Sequence, residues 1–265
     1  MMSAWEEFEI NVLKALKGIE ETKLKFVRKG GSDSSVSDIE VYKDSKKITS
    51  LECKLSQSQA GQFVVLYNGT EFCFSNQNKC NETTETIKII KKMNENIGLY
   101  IKVIEDDLSS VNLQIENSLS FEHVLNIYKQ KGVKYFITSR ELNSELIIVP
   151  LNKIVEIFQI KGVYRKKRSG SRDIPKSEKS LCYSEFEKKY KTEINFANLK
   201  KIVEMNNRYF GSNNEYYISG NSERGYKFKK LSNTNNPNVI FTLSLKENIN
   251  CSMTIKELID ELEEL

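Results

Sequence analysis

Trp5, Phe8, Val12, Leu13 and Leu16 recur at helical spacing ahead of Gly18, so residues 5–16 predict an amphipathic first helix. With Trp5 at zero and about 100° per residue, Glu9 falls near 40°, between Val12 near 340° and Leu13 near 80°. A carboxylate in the middle of an apolar arc costs free energy unless it is paired or binds a metal. Glu9 is therefore the first candidate functional residue. Residues 23–29, 38–43 and 47–55 then read as strands, the first two separated by the turn-forming run 30–37 and the last two by Asp44-Ser45. A helix followed by an antiparallel meander is the local prediction. After a polar Ser/Gln stretch, residues 63–67 and 70–74 flank Asn68-Gly69, a strong hairpin signal.

Helical patterns follow over 82–96, 119–130 and 152–160, with strands at 134–138 and 146–149. Together these elements predict an α/β (α+β) fold, a mixed central β-sheet flanked by helices. Beyond Gly162 the chain becomes basic and turn-rich, and a division into 1–160 and 161–265 is expected. The second part holds a helix near 197–206, strands near 215–219, 226–231 and 239–245, and an Asn-rich loop over 232–238. An acidic helix over 254–265 carries one apolar stripe, Ile255, Leu258, Ile259 and Leu262, to pack on this domain or on a second subunit.

Composition narrows the chemistry. The 265 residues are 39% hydrophobic and 29% charged with a formal charge of +4, which describes a folded, mildly basic protein. Cys53, Cys73, Cys80, Cys182 and Cys251 are odd in number and far apart, so they read as reduced thiols and not as a disulfide framework or zinc site. No window approaches the ~20 apolar residues of a membrane span, and the acidic N-terminal stretch has no signal-peptide run, so the expected setting is the cytoplasm. The single histidine, His123, removes chemistries that need several imidazoles. It sits in a helical pattern with no nucleophile motif beside it and reads as a surface or half-buried helix residue.

What remains is a carboxylate constellation. Glu52 and Lys54 are two apart on a strand and share a face, and the turn at Asp44-Ser45 brings Asp38 opposite Glu52 if the two strands pair. Oxygen ligands from Asp38 and Glu52, with the Cys53 carbonyl between them, suit Mg²⁺. Such an ion polarises a phosphate and activates a bound water, while Lys54 beside it orients the nucleophile and stabilises transition-state charge.

Ser37-Asp38 followed by Glu52-x-Lys54, behind a helix carrying Phe8-Glu9, resembles the PD-(D/E)xK nuclease superfamily over residues 5–75. Ser37 stands where that motif usually has proline, a common departure that removes no ligand. The helix is similar to the superfamily's acidic helix, which implies that Glu9 supports the metal site. Residues 55–63, with Gln59 and Gln62, resemble the Gln-containing segment after Glu-x-Lys in some type II restriction endonucleases. The resemblance thus implies a restriction-endonuclease-like fold with a C-terminal DNA-recognition and dimerisation region, and hydrolysis of phosphodiester bonds in specific double-stranded DNA sites.

The charge distribution agrees with that expectation. Residues 161–191 hold eleven Lys or Arg against four Asp or Glu, and three of the seven arginines, Arg165, Arg168 and Arg172, fall within eight residues. Arginine forks suit guanine edges and phosphates. Arg165, Lys167, Arg168, Ser169, Ser171, Arg172 and Lys176 are accordingly candidate DNA contacts, similar to segments that read DNA in restriction enzymes. Cutting both strands of a duplex calls for two active sites, so a homodimer is expected. A structure-specific or repair nuclease of the Holliday-junction resolvase type and a non-catalytic DNA-binding protein are the alternatives.

Overall fold

In the computed structural model, residues 3–19, 22–29, 36–78, 80–105, 107–168, 171–222, 225–231, 235–249 and 252–265 are described, with the backbone alone for 167, 168, 221 and 235. They form two compact units, one of residues 3–165 with 237–265 and one of residues 166–236. In chain order the first contains α1 (Ala4–Lys17), β1 (Leu24–Arg28), β2 (Ile39–Lys43), β3 (Lys46–Leu55), β4 (Ser58–Tyr67), β5 (Phe72–Phe74), α2 (Thr84–Asn94), α3 (Ile97–Ile104), β6 (Ser110–Asn112), α4 (Asn117–Gln130), β7 (Val133–Ser139), β8 (Ile147–Pro150), the single turn α5 (Ile154–Ile157) and β9 (Phe158–Arg168). The second contains β10 (Ser171–Asp173), α6 (Lys179–Tyr190), α7 (Phe196–Glu204), β11 (Tyr209–Phe210), β12 (Tyr216–Asn221) and β13 (Gly225–Leu231). The chain then returns to the first unit through β14 (Asn235–Leu245) and ends in α8 (Ile255–Glu263).

One sheet of the first unit runs β1-β2-β3-β7-β8, with β1, β2 and β3 an antiparallel meander and β7 parallel to β3. Asp44 and Ser45 both take positive φ, 48° and 65°, the twist a two-residue hairpin between β2 and β3 demands. β3 is central, and Thr49 to Cys53 are buried without a break because both sheet faces are covered. On one face, α1 and α8 pack Phe8, Val12, Leu16, Leu258 and Leu262 against Ile39, Val41, Leu51 and Ile137. Each such side chain contributes roughly 1.5–3 kcal/mol by leaving water. The other face contributes Phe136 to a larger core with Val124 and Tyr128 of α4 and with Phe63, Phe158 and Phe241 of a second sheet, ordered β5-β4-β14-β9-β6. No helix among the described residues is long and apolar enough to cross a membrane.

Four expectations change. The boundary falls at residue 165, and residues 237–265 pack with the first unit, because β14 pairs with β4 and the apolar stripe of α8 is buried beside α1. The helix expected over 152–160 stops at Ile157: Phe158, Ile160 and Tyr164 alternate inward, and β9 continues through the segment read as a basic turn. The Asn-rich loop is strand from Asn235 onward, and its residues 232–234, like the run 30–35 and Cys251, lie outside the described residues. His123 is fully buried, its ring 5.1 Å from both Phe63 and Phe241.

The second unit places α6 and α7 on one face of a four-stranded sheet, β10-β13-β12-β11, around Cys182, Phe186, Leu199, Ile202, Phe210 and Ile218. Helix α6 has no counterpart in the sequence expectations, since its apolar residues follow no clean stripe.

Burial holds the His123 pKa down at about 4, against its ordinary 6.5. The unfolded chain binds this proton below pH 6.5 and the folded chain does not, so stability present above that pH is lost on acidification, by about 3 kcal/mol once pH falls to 4. In urea unfolding between pH 7 and pH 4, His123→Leu is expected to gain on the parent steadily as pH falls. A difference that stays constant with pH contradicts a buried neutral imidazole.

Candidate active site

The β2–β3 register pairs Ile39 with Leu51, so the next residue of each strand sets Asp38 opposite Glu52. Asp38 Oδ2 accepts the backbone N–H of Cys53 at 2.9 Å, which fixes the carboxylate at the strand end. Glu52 and Lys54 share the face covered by α4, and Lys54 Nζ lies 2.7 Å from Glu52 Oε1 and 3.5 Å from Asp38 Oδ2. Both carboxylates are buried, Glu52 to 2% exposure and Asp38 to 7%. Burial pushes the Glu52 carboxyl up, against the pull of Lys54. For Lys54 burial favours the neutral amine, but the neighbouring Glu52 and Asp38 together hold the ammonium well above its ordinary range. The trio is thus two acids sharing one fixed cation.

Glu9 is buried as its place on the helical arc predicts, and its charge is met by Arg28 at the end of β1. Arg28 Nε donates to Glu9 Oε2 at 2.8 Å, and Arg28 Nη2 forms an ion pair with the same oxygen, also at 2.8 Å. Burial first, then the neighbouring Asp38, raises the Glu9 pKa to about 7 against the pull of Arg28. Sequence reasoning missed this arginine. The signal was present, because Leu24, Phe26 and Arg28 alternate and place the guanidinium on the apolar side of β1.

Among the described residues no three His, Cys, Asp or Glu side chains meet as a ligand group. Oxygen donors at the trio come from Asp38 and Glu52, and Glu52 Oε2 is buried with no hydrogen-bond partner. An open carboxylate oxygen beside a second carboxylate is chemically suited to a hard divalent cation. Cys53 enters the site through its backbone only, since its thiol belongs to the core beneath α1 and α8.

The remaining candidates lie on other elements. Gln59 and Gln62 are exposed on β4, and Gln59 Nε2 donates to Gln62 Oε1 at 3.0 Å. A bulge opposite Phe241 and Thr242 brings residues three apart in a strand to one side. Arg165 is exposed on β9 in the first unit. In the second unit Ser171, Arg172 and Lys176 are exposed, with the Ser171 hydroxyl 2.9 Å from that of Tyr217. Lys167 and Arg168 lie in β9 by backbone, and Ser169 is outside the described residues. Register sets Ser171, Lys229, Lys227, Tyr217 and Tyr209 on one face of the second unit's sheet, with the two tyrosine rings 5.9 Å apart. The tyrosines and lysines were not singled out in sequence, although Lys227-x-Lys229 shows the strand period. Residues 166–236 carry 16 Lys or Arg against eight Asp or Glu, a net +8, and the remaining residues carry 24 against 28, a net −4.

No protein-family model and no curated protein matches the chain. Among solved structures the chain is similar to HhaI endonuclease in complex with DNA, at 29% sequence identity and a TM-score of 0.75 over 100% of both chains. The mixed α/β architecture is that of a restriction endonuclease.

Removing the cation beside Glu9 tests the buried pair. Arg28→Met is expected to lower stability by roughly 1–3 kcal/mol at pH 8, where Glu9 loses the guanidinium that favours its charged form. Because the folded pKa of Glu9 is raised, the penalty shrinks as pH falls through about 7 and the carboxyl takes up a proton. Glu9→Gln in the same chain should recover most of the loss at pH 8. Equal penalties at pH 8 and pH 6 in denaturant titrations contradict the pairing.

Proposed function

We propose that the chain is a Mg²⁺-dependent endonuclease of the type II restriction kind, hydrolysing phosphodiester bonds at specific sites in double-stranded DNA. The convergence of Asp38, Glu52 and Lys54 at the end of β2–β3 carries this reading. The likeness to HhaI endonuclease in complex with DNA supports it.

In this reading Asp38, Glu52 and the Cys53 carbonyl would hold the ion, which would supply Lewis-acid stabilisation of phosphate charge and a lowered pKa for bound water. Lys54 stays protonated at the pH of the reaction, so it acts as a donor and a positive charge, not as the base. With Glu52 and Asp38 drawing on two of its three N–H directions, the third is left to orient the attacking water and meet charge on the phosphate. Glu9, fixed by Arg28, is proposed to support the metal site directly or through water, its carboxyl being near enough to Asp38 for the two to interact.

Arg165, Lys167, Arg168, Ser169, Ser171, Arg172 and Lys176, with Gln59 and Gln62, are the proposed DNA contacts. The net +8 of residues 166–236 supplies the long-range attraction to a polyanion. One catalytic trio cuts one strand, so two copies acting on a duplex fit the reading. Light scattering of the protein–DNA complex checks that stoichiometry.

Purified protein with Mg²⁺ and plasmid or phage DNA is expected to give discrete fragments, and chelation should abolish them. Lys54→Ala should slow cleavage by about 100-fold or more while binding changes little. Arg172→Ala should weaken binding and lower the slope of log K against log salt by about 1. Cleavage by Lys54→Ala at the parent rate sinks the active-site assignment, and cutting confined to branched DNA selects a structure-specific nuclease instead.

A further inference from the structure

The face of β3 that bears Glu52 and Lys54 also bears Ser50, two residues earlier, and in the parallel register with β7 it continues through Phe136 beside Glu52 and Thr138 beside Lys54. Helix α4 closes over this face with Tyr128, whose ring meets Phe136 edge-on at 5.5 Å. Lys131 Nζ, one turn further along, stands 5.5 Å over the same tyrosine ring.

Four polar atoms on these elements are buried with no hydrogen-bond partner: Ser50 Oγ, Glu52 Oε2, Tyr128 Oη and Thr138 Oγ1. Tyr128 is only 1% exposed, and its hydroxyl is within electrostatic range of Glu52, Lys54 and Asp38. One unpaired hydroxyl is a local cost. Four on one face, on the two strands and the helix around Glu52, gather unsatisfied polar groups in a core of aliphatic and aromatic side chains. Buried groups left without a protein partner are met by ordered water, which typically bonds to about three of them.

We propose that Tyr128 is a positioning residue of this site: with Ser50 and Thr138 it forms a polar floor that holds Glu52 through ordered water on one lone pair of its open oxygen, leaving the other toward the cation, and so fixes the orientation of Glu52 and Lys54. The proposal rests on the endonuclease reading above and extends it to a residue that touches neither DNA nor metal. Phenylalanine at position 128 would fill the same space without a buried hydroxyl, so packing alone gives no reason for tyrosine. Lys54 gains from the same arrangement, because its 2.7 Å contact to Glu52 Oε1 is only as fixed as the carboxylate that accepts it.

The test is Tyr128→Phe in the full chain, measured for steady-state cleavage, DNA affinity and melting temperature. The expected result is a fall in kcat of about tenfold or more, with KM and DNA affinity within about twofold and a melting temperature equal to or above the parent's. Thr138→Val should show the same split, and it decides the matter if Tyr128→Phe does not fold. A crystal structure of the parent should show water within about 3.2 Å of both Tyr128 Oη and Glu52 Oε2, whatever the activity. A variant that cuts like the parent, a joint loss of stability and binding, or a dry pocket overturns the proposal. A parent that cuts no DNA overturns the endonuclease reading itself and is recognised separately, because the variant is then not needed.

Discussion

Asp38 and Glu52 are buried side by side, and the ammonium of Lys54 lies within 3.5 Å of both carboxylates. At about 4 Å a unit charge pair in an effective dielectric near 20 interacts by roughly 4 kcal/mol, enough to decide protonation at such a site. The geometry depends on the register of β2 and β3. Because side chains alternate, a slip of one residue would carry Glu52 and Lys54 to the face beneath α1 and α8 and bring Leu51 and Cys53 beneath α4. Ile39, Val41, Leu51 and Cys53, all buried on the α1 and α8 side, resist that slip. The apolar residues of the meander thereby place the charged ones, and the Cys53 N–H bond to Asp38 ties the two strands together where the carboxylates meet.

The cover over this face is set by a second constraint. A Cβ at Gly61 would lie 3.0 Å from Ile127 Cδ1, so the absence of a side chain on β4 is what lets α4 pack closely against the strand. Gly162 on β9 plays the same part: a Cβ there would come within 2.8 Å of Leu113 Cδ1 and 3.1 Å of Phe241 Cε1. Close packing of α4 seats Tyr128 on Phe136 and seals His123 between two phenylalanines. One helix thus buries an imidazole while placing a buried hydroxyl over the face that bears Glu52.

How much of this was readable in the sequence follows from how local each feature is. Helix α1, the three-stranded meander, the Asp44-Ser45 turn and the convergence of Asp38, Glu52 and Lys54 rest on spacings within some fifty residues, and period and turn chemistry suffice for them. The burial of Glu9 was readable from one helix, but its partner was not, because Arg28 meets it only when β1 packs against α1. Residues 152–160 carry a helical pattern, and β9 prevails from Phe158 because strands far along the chain accept it: β6 pairs on one side and β14 lies on the other. The return of β14 to the first unit is of the same kind. No local signal tells that a chain leaving at residue 165 comes back some seventy residues later to pair with β4.

The modest total charge now has a different meaning. A net +4 reads as weak attraction to any polyanion, yet it is the sum of +8 on residues 166–236 and −4 on the rest, where Glu9, Asp38 and Glu52 lie. On the proposed function these two parts do opposite work. The basic unit draws a duplex in by displacing its counterions, and that attraction fades with salt. On the same reading the carboxylate site would repel a phosphate until a divalent cation offset its charge, so binding and cutting would be governed by different charges on different units. A chain that works this way would hold DNA without the metal needed to cut it, which would separate the search for a site from the chemistry performed there.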